Sequence, residues 1–184
     1  MILTKSLETK RLFLRTLHAE DATDAYLSWL VDPQINRYLE IRFSKVMGVP
    51  ELESFIKKVN ESKADLMLGI FRKVDWMHIG NIKLGPIIEP HSRAAVGFMI
   101  GDKMSWGQGY ATEAIVEMSR YGIQVLGLAK ITAGCYENNL GSAKALSNAG
   151  FTHEATISSD VTFEGRRIAS LIFGLNRGDL AKNA

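Results

Sequence analysis

Apolar and polar positions repeat with two different periods along this chain, and the switches between the periods mark its elements. From Leu7 to Leu17 the stretch Arg11-Leu-Phe-Leu-Arg-Thr-Leu17 alternates Leu12 and Leu14 with Arg11 and Arg15, which predicts a half-buried strand. His18-Ala-Glu-Asp21 offers acidic residues for a helix start, and Ala22, Ala25, Tyr26, Trp29 and Leu30 follow at helical spacing. Asp32-Pro33 ends that helix, because a residue before proline is pushed out of the helical region. Pro33 to Leu39 predicts a second short helix, and the poorly patterned Ile41 to Val49 a loop. Pro50 suits the first turn of another helix, with Leu52, Phe55, Ile56 and Val59 as its apolar face.

Strands dominate next. Leu66 to Phe71 and His78 to Leu84 read as a pair joined by a hairpin turn at Lys73-Val-Asp-Trp76, and Pro86 to Ser92 leads to an apolar strand from Ala94 to Ile100. After a glycine-bearing turn, Ala111, Ala114, Ile115 and Met118 recur at helical spacing until Gly127. Lys130 to Cys135 is a strand, and Asn138 to Ser142 precedes a short helix that Gly150 closes as a C-cap. Phe151 to Phe163 and Arg166 to Leu175 are strands joined at Glu164-Gly165, and the polar tail from Asn176 is expected to fray. The pattern predicts an α/β fold with a mixed, mostly antiparallel central sheet flanked by helices. No repeat, low-complexity tract or linker divides it, so residues 1–184 read as a single domain with a core of about 7–175.

Composition narrows the function. A chain of 184 residues with 46% apolar and 23% charged residues is a typical soluble globular sequence. A net charge of +2 without a basic arm does not suggest a nucleic-acid partner. Cys135 is the single cysteine, so no internal disulfide is available. No signal peptide stands at the N-terminus and no apolar run reaches membrane-span length, so the expected location is the cytoplasm.

The chemistry concentrates in Gly101-Asp-Lys-Met-Ser-Trp-Gly-Gln-Gly-Tyr-Ala-Thr-Glu-Ala114, where a strand passes through a turn into a helix. Gly107 and Gly109 allow a tight bend and leave the first helical turn bare. Free N–H groups there, at the positive end of the helix dipole, suit an anionic phosphate. Three phosphate ligands compete. A Rossmann dinucleotide site would want a third glycine where Thr112 stands and an acidic residue about 20 positions on, and neither is present. A P-loop would want Gly-Lys-Ser/Thr, which is absent. The diphosphate of coenzyme A remains.

Trp106-Gly-Gln-Gly-Tyr-Ala-Thr-Glu-Ala114 resembles the coenzyme A loop of the GCN5-related N-acetyltransferases, and more narrowly the branch that includes the ribosomal-protein N-terminal acetyltransferases. Thr9-x-Arg11-Leu-x-Leu-Arg15 and Asn139-x-x-Ser142 followed by Ala149-Gly-Phe151 match the same branch, over about residues 7–175. The resemblance implies a sheet split near Ile100 to admit the cofactor. It implies that amides from Gln108 through Gly109, Tyr110 and Ala111 to Thr112 hold the diphosphate, with Gly107 in the same cofactor-binding loop, and that main-chain groups of Met99 and Ile100 pair with the pantetheine arm. Asn139 would bind that arm from the other side, and Lys144 would meet a peripheral phosphate. Ser142 would be the proton donor to the departing thiolate, directly or through water. Acetyl-coenzyme A is then the cosubstrate, with no metal, and an amine is the acceptor.

Attack of a neutral amine on a thioester needs a proton acceptor, a donor to the developing oxyanion and a proton for the thiolate. A backbone N–H near Met99 or Ile100 is the expected oxyanion donor. Where the family often has a carboxylate on the central strand this chain has Ala95, and where many members have a tyrosine on the short helix it has Leu146. Trp106 and Gln108 replace frequent basic residues. The base is sought among His91, Glu89, His78 and Tyr136, with His91 placed first. An α-amino group is roughly a tenth neutral at pH 7 and needs little help, whereas a lysine amine is neutral less than about one time in a thousand. This tilts the acceptor towards an α-amine, or an amino-sugar amine of similarly modest basicity, and the resemblance implies a protein N-terminal α-amine. A small amine such as an amino sugar or antibiotic, or a non-catalytic coenzyme A sensor, are the other readings. A monomer or homodimer is expected, with no membrane partner.

Overall fold

In chain order the computed structural model, which describes residues 1–44 and 48–180, gives β1 (Leu7–Glu8), β2 (Leu12–Thr16), α1 (Asp24–Val31), α2 (Pro33–Asn36) and α3 (Val49–Glu61). It continues with β3 (Leu66–Arg72), β4 (His78–Leu84), β5 (Arg93–Ile100), α4 (Tyr110–Gln124), β6 (Lys130–Tyr136), α5 (Leu140–Asn148), β7 (Thr152–Phe163), β8 (Arg166–Asn176) and α6 (Arg177–Leu180). The strands form one eight-stranded sheet in the order β1-β2-β3-β4-β5-β6-β8-β7. Every pairing is antiparallel except β5 with β6, so the mixed α/β architecture expected from the pattern is the one observed. Among the described residues no helix is long and apolar enough to cross a membrane.

The sheet is covered on both faces, and β3 shows why its sequence has no polar alternation. Leu66, Leu68 and Ile70 join the apolar layer beneath Ala114, Ile115 and Met118 of α4 and Leu146 of α5. Met67 and Phe71 point the other way, into a layer with Tyr26 and Trp29 of α1 and Leu52 and Ile56 of α3. A strand buried on two faces must be apolar at successive positions. Phe55, expected in the α3 face, is instead 43% exposed.

Several local expectations are corrected by side-chain bonding. The run Leu7 to Leu17 is two strands, because Thr9 to Arg11 turn back so that Leu7 pairs with Leu14. The acidic residues after His18 open only a 3-10 turn, Ala19–Asp21, in which Asp21 accepts from the His18 N–H at 2.7 Å while the Arg15 guanidinium donates to the same carboxylate twice, both at 2.7 Å. Thr23 caps α1 instead, accepting from the Tyr26 N–H at 3.2 Å. The second helix is only Pro33–Asn36, and Glu40–Phe43 forms a 3-10 turn inside the expected loop, of which residues 45–47 lie outside the described residues. The tail is anchored as far as α6, since the Arg177 N–H donates to the Ala129 carbonyl at 2.9 Å; residues 181–184 lie outside the described residues.

Candidate active site

The parallel pair β5–β6 is short. Arg93, Ala94 and Ala95 pair with Lys130, Ile131 and Thr132, and beyond that point the strands diverge. The split therefore opens from Val96 onward, earlier than the expected position near Ile100. On its other side β5 stays paired with β4 as far as Ile100 opposite Gly80.

Main-chain direction decides which groups face the split. The Ala95 carbonyl accepts from the Gly85 N–H at 2.8 Å on the β4 side. Directions alternate along a strand, so Gly97 and Met99 also turn their peptide groups towards β4, while Val96, Phe98 and Ile100 turn theirs into the split. A Cβ added to Gly80 would stand 2.1 Å from the Met99 oxygen, which fits that direction. The Met99 main chain, expected to face the split, is instead paired with β4, and the peptide groups of Phe98 face the split. The Ile100 carbonyl is already taken by the Trp106 indole N–H at 2.8 Å, which leaves the Ile100 N–H.

At the wide end of the split sits the glycine turn. Gly107 and Gly109 have φ of 72° and 79°, the left-handed region that glycine enters without a steric cost. Gly109 is the N-cap of α4. The first helical bond runs from the Glu113 N–H to the Gly109 carbonyl at 3.1 Å. The backbone N–H groups from Gly107 to Thr112 have no acceptor among the described residues. Six donors are thus gathered at the positive end of a 15-residue helix.

Side chains hold this loop in place from outside. Arg11 donates from Nη1 to the Gln108 carbonyl at 2.9 Å and lies 4.4 Å over the Tyr110 ring. Gln108 Nε2 donates to the Met104 carbonyl at 2.6 Å. Asp102 accepts from the Ser105 hydroxyl at 2.6 Å and lies 3.6 Å from Arg72. Glu113, in the first turn, accepts from the Thr9 hydroxyl at 2.5 Å, the Arg11 N–H at 2.8 Å and the Arg11 Nε–H at 2.6 Å. Burial alone would raise the Glu113 carboxyl, but these donors outweigh it and keep the group below the usual carboxylate range. The Thr9-x-Arg11 motif is thereby explained: it ties the first strands to the helix that carries the bare amides.

A groove of about 640 Å³ runs along the split. Phe98, Met99 and Ile100 form one side, and Gly107, Gly109, Tyr110, Ala111 and Thr112 form its end. Asn139, Ser142 and Lys144 of the β6–α5 corner form the other side. All the residues expected to bind the cofactor except Gln108 are brought together here. Asn139 is the N-cap of α5, its Oδ1 accepting from the Ser142 N–H at 3.2 Å, so its side-chain NH₂ remains for a ligand. The cap is Asn139, which leaves the Ser142 hydroxyl free of that role. Sequence reasoning missed Ile35, Tyr38 and Leu39, which close the groove from the segment after α1. That segment is strapped across the split: Arg37 pairs with Glu164 at 3.1 Å, Tyr38 stacks on Phe163 at 5.2 Å, and Lys103 pairs with Asp32 at 2.6 Å.

The face of the split away from α4 is open. Gly97 on β5 and Gly134 on β6 are both exposed. A Cβ on Gly97 would meet nothing within 4 Å, and one on Gly134 would come no nearer than 3.8 Å to a neighbour. This leaves an open bay on that face of the split.

The candidate bases do not gather there. His91 and Glu89 lie in an exposed turn before β5. An eight-residue strand, roughly 25 Å at about 3.3 Å per residue, separates them from the groove end at Ile100. His91 is therefore removed from the site. His78 is packed among Tyr26, Trp29 and Phe71, with Nε2 at 2.9 Å from the Gly80 carbonyl and 3.0 Å from Asn81 Oδ1. Burial pushes its ring below the usual histidine range, against the pull of those two bonds and of Asp21; it is a structural histidine donating from Nε2. The Tyr136 hydroxyl donates to Glu40 at 2.7 Å and accepts from Arg42 at 2.8 Å. Burial and Glu40 push this phenol up, with Arg42 opposing. Cys135 is 8% exposed, and burial raises its thiol.

The site is thus a sheet split between parallel strands beside a helix end with bare amides, an arrangement chemically suited to an anionic group on an extended arm. Residues 11–152 match the family of acetyltransferase (GNAT) domains, and the chain belongs to that family. It is 29% identical over 179 residues to the uncharacterised N-acetyltransferase p20 of Bacillus licheniformis, covering 96% of this chain and 99% of that protein. It is 31% identical over 153 residues to the uncharacterised N-acetyltransferase YoaA of Bacillus subtilis (strain 168), covering 82% and 85%. Among solved structures, spermidine N-acetyltransferase from Vibrio cholerae in complex with coenzyme A and spermine shares the fold with a TM-score of 0.82, at 20% identity and with 94% and 99% coverage. A structure provisionally assigned as a ribosomal-protein-serine acetyltransferase from Vibrio cholerae has a TM-score of 0.75, at 21% identity and with 96% and 99% coverage.

Proposed function

We propose that this acetyltransferase, acting as one domain over residues 1–184, moves the acetyl group of acetyl-coenzyme A to an α-amine, with a protein N-terminus as the acceptor. The observation that carries the cofactor is the run of unpaired amides from Gly107 to Thr112 at the end of a split sheet. Those residues fit a diphosphate, and the exposed Lys144 supplies a cation for a further phosphate. The N–H groups of Phe98 and Ile100 line the split as an added strand would require. Asn139 Nδ2 donates from the opposite side. Bound there, acetyl-coenzyme A supplies an activated acetyl thioester.

The protein's own groups then divide the work. An N–H of Phe98 or Ile100 donates to the carbonyl oxygen as negative charge develops on it. The Ser142 hydroxyl donates a hydrogen bond to the departing sulfur. The amine enters over Gly97 and Gly134 and loses its proton to water. An α-amine suits this site because roughly a tenth of it is neutral at pH 7 without a strong base, and Ala95 supplies none. Cys135, buried with a raised thiol, supports direct transfer in a ternary complex rather than through an acetylated enzyme.

A panel of amines with acetyl-coenzyme A, read by thiol release, tests the assignment. Turnover with N-terminal peptides exceeding that with spermidine and amino sugars is expected. Preference for a small amine would reassign the acceptor. Saturable coenzyme A binding with no turnover on any amine would make the chain a sensor.

A further inference from the structure

The departing coenzyme A sulfur needs a proton, and the groove limits where it can come from. Five residues with hydroxyl groups line it: Tyr38, Ser105, Tyr110, Thr112 and Ser142. The Ser105 hydroxyl is buried and donates to Asp102 at 2.6 Å. Thr112 donates to the Ala145 carbonyl at 3.4 Å from the first turn of α4. Tyr110 opens α4, with its ring 4.4 Å beneath Arg11, at the diphosphate end. Tyr38, on the strap, and Ser142, in the first turn of α5, remain.

Their acidities differ. A phenol ionises near pH 10 and a free thiol near 8.5, so proton transfer from phenol to thiolate is nearly balanced. An aliphatic hydroxyl is a much weaker acid, and general acids work best when acid and acceptor are matched. We infer that Tyr38, carried on the strap and not on α5, is the general acid that protonates the departing thiolate. This rests on the acetyltransferase reading above and deepens it. The carbon–sulfur bond breaks with its electron pair on sulfur, the Tyr38 hydroxyl proton passes to that sulfur, and the phenolate recovers a proton from water.

The position of Tyr38 fits the task. Its ring is stacked on Phe163 at 5.2 Å with planes 14° apart, and is edge-on to Tyr136 at 6.0 Å. The hydroxyl donates to the Asn138 carbonyl at 3.1 Å. Asn138 precedes the cap Asn139, and Ser142 follows one helical turn later, so the phenol oxygen stands where the groove meets α5. A single neutral bond to an exposed carbonyl is readily exchanged for a ligand. Ser142 then orients the sulfur while Tyr38 supplies the proton.

The test is Tyr38→Phe, which keeps the ring on Phe163 and removes only the oxygen. The expected kcat falls by roughly a hundredfold, with KM for acetyl-coenzyme A within about threefold and an unchanged circular dichroism spectrum. A second reading is independent of turnover. The thiol of bound coenzyme A, followed by thiolate absorbance, should ionise at higher pH on Tyr38→Phe than on the wild type, because the phenol donates to the thiolate. Wild-type kcat in the variant, or the same thiol titration on both proteins, overturns the role of Tyr38 alone. Failure of the wild type to bind coenzyme A at all overturns the transferase reading, and the inference with it.

Discussion

Arg11 reaches Glu113 across 102 positions of sequence, with Nε 2.6 Å from Oε2, while its Nη1 holds the Gln108 carbonyl at 2.9 Å. One guanidinium thus fixes both the first turn of α4 and the loop before it. The bare amides gain their direction from this brace, because six N–H groups converge on a ligand only if the turn cannot wander.

Glu113→Gln should weaken coenzyme A binding about tenfold and cost about 1–2 kcal/mol, a charge-assisted network discounted for the 41% exposure of Arg11. Titration calorimetry and urea unfolding measure the two effects. The Glu113 carboxyl lies below its unfolded value when folded. Its stabilisation is therefore complete above about pH 4.3 and lost as pH falls through the folded value. The variant should lack that part of the acid unfolding curve.

Asn139 performs two tasks with two atoms, and substitution separates them. Asn139→Asp keeps an oxygen to cap α5, so its stability should stay near wild type, but it loses the NH₂ donor and should bind coenzyme A more weakly. Asn139→Ala should lose about 1 kcal/mol as well. Equal coenzyme A affinity in Asn139→Asp and the wild type would remove Asn139 from the binding site.

Two glycines should answer oppositely to alanine. Gly109 sits at φ 79° with Arg11 Nη2 3.6 Å from an added Cβ, so the contact is ordinary and the cost is conformational. Gly109→Ala should lose about 1 kcal/mol and coenzyme A affinity together. Gly97 has no neighbour within 4 Å of an added Cβ. Gly97→Ala should be neutral or more stable while raising KM for the amine, since the methyl intrudes on the bay. Thermal unfolding and two-substrate kinetics distinguish them.

His78 gives a pH dependence of known sign. Burial lowers its folded value, so the unfolded chain binds the proton first. Stability should be full above about pH 6.5 and fall as pH drops from there to the folded value. In His78→Gln the slope of unfolding free energy between pH 7 and 5.5 should flatten, and activity at pH 7.5 should remain measurable if the histidine is structural.

Local pattern made the site legible where the chemistry is local. Gly107, Gly109 and the apolar stripe of α4 are neighbours in sequence, so the turn and the bare amides at the helix end could be read directly. The strap could not be read that way, because Tyr38 and Phe163 meet only after the sheet is assembled, and no periodicity links them. Backbone direction at Met99 was hidden for a related reason: which peptide groups face the split depends on which neighbour β5 keeps. His91 misled because it is close to Met99 along the chain, while an extended strand carries it to the far end. The acidic residues after His18 open a 3-10 turn and not α1, because the chain turns again at Ala22 and Thr23 caps the longer helix.

Cys135 is the chain's sole cysteine and is sealed within the sheet core, with its thiol harder to ionise than usual. Aromatic disulfide reagents are attacked by thiolates, so the folded protein should contribute almost no colour of its own. Each sulfhydryl detected during a reaction then reports one coenzyme A set free, and a slow late rise in signal would mark unfolding instead of catalysis.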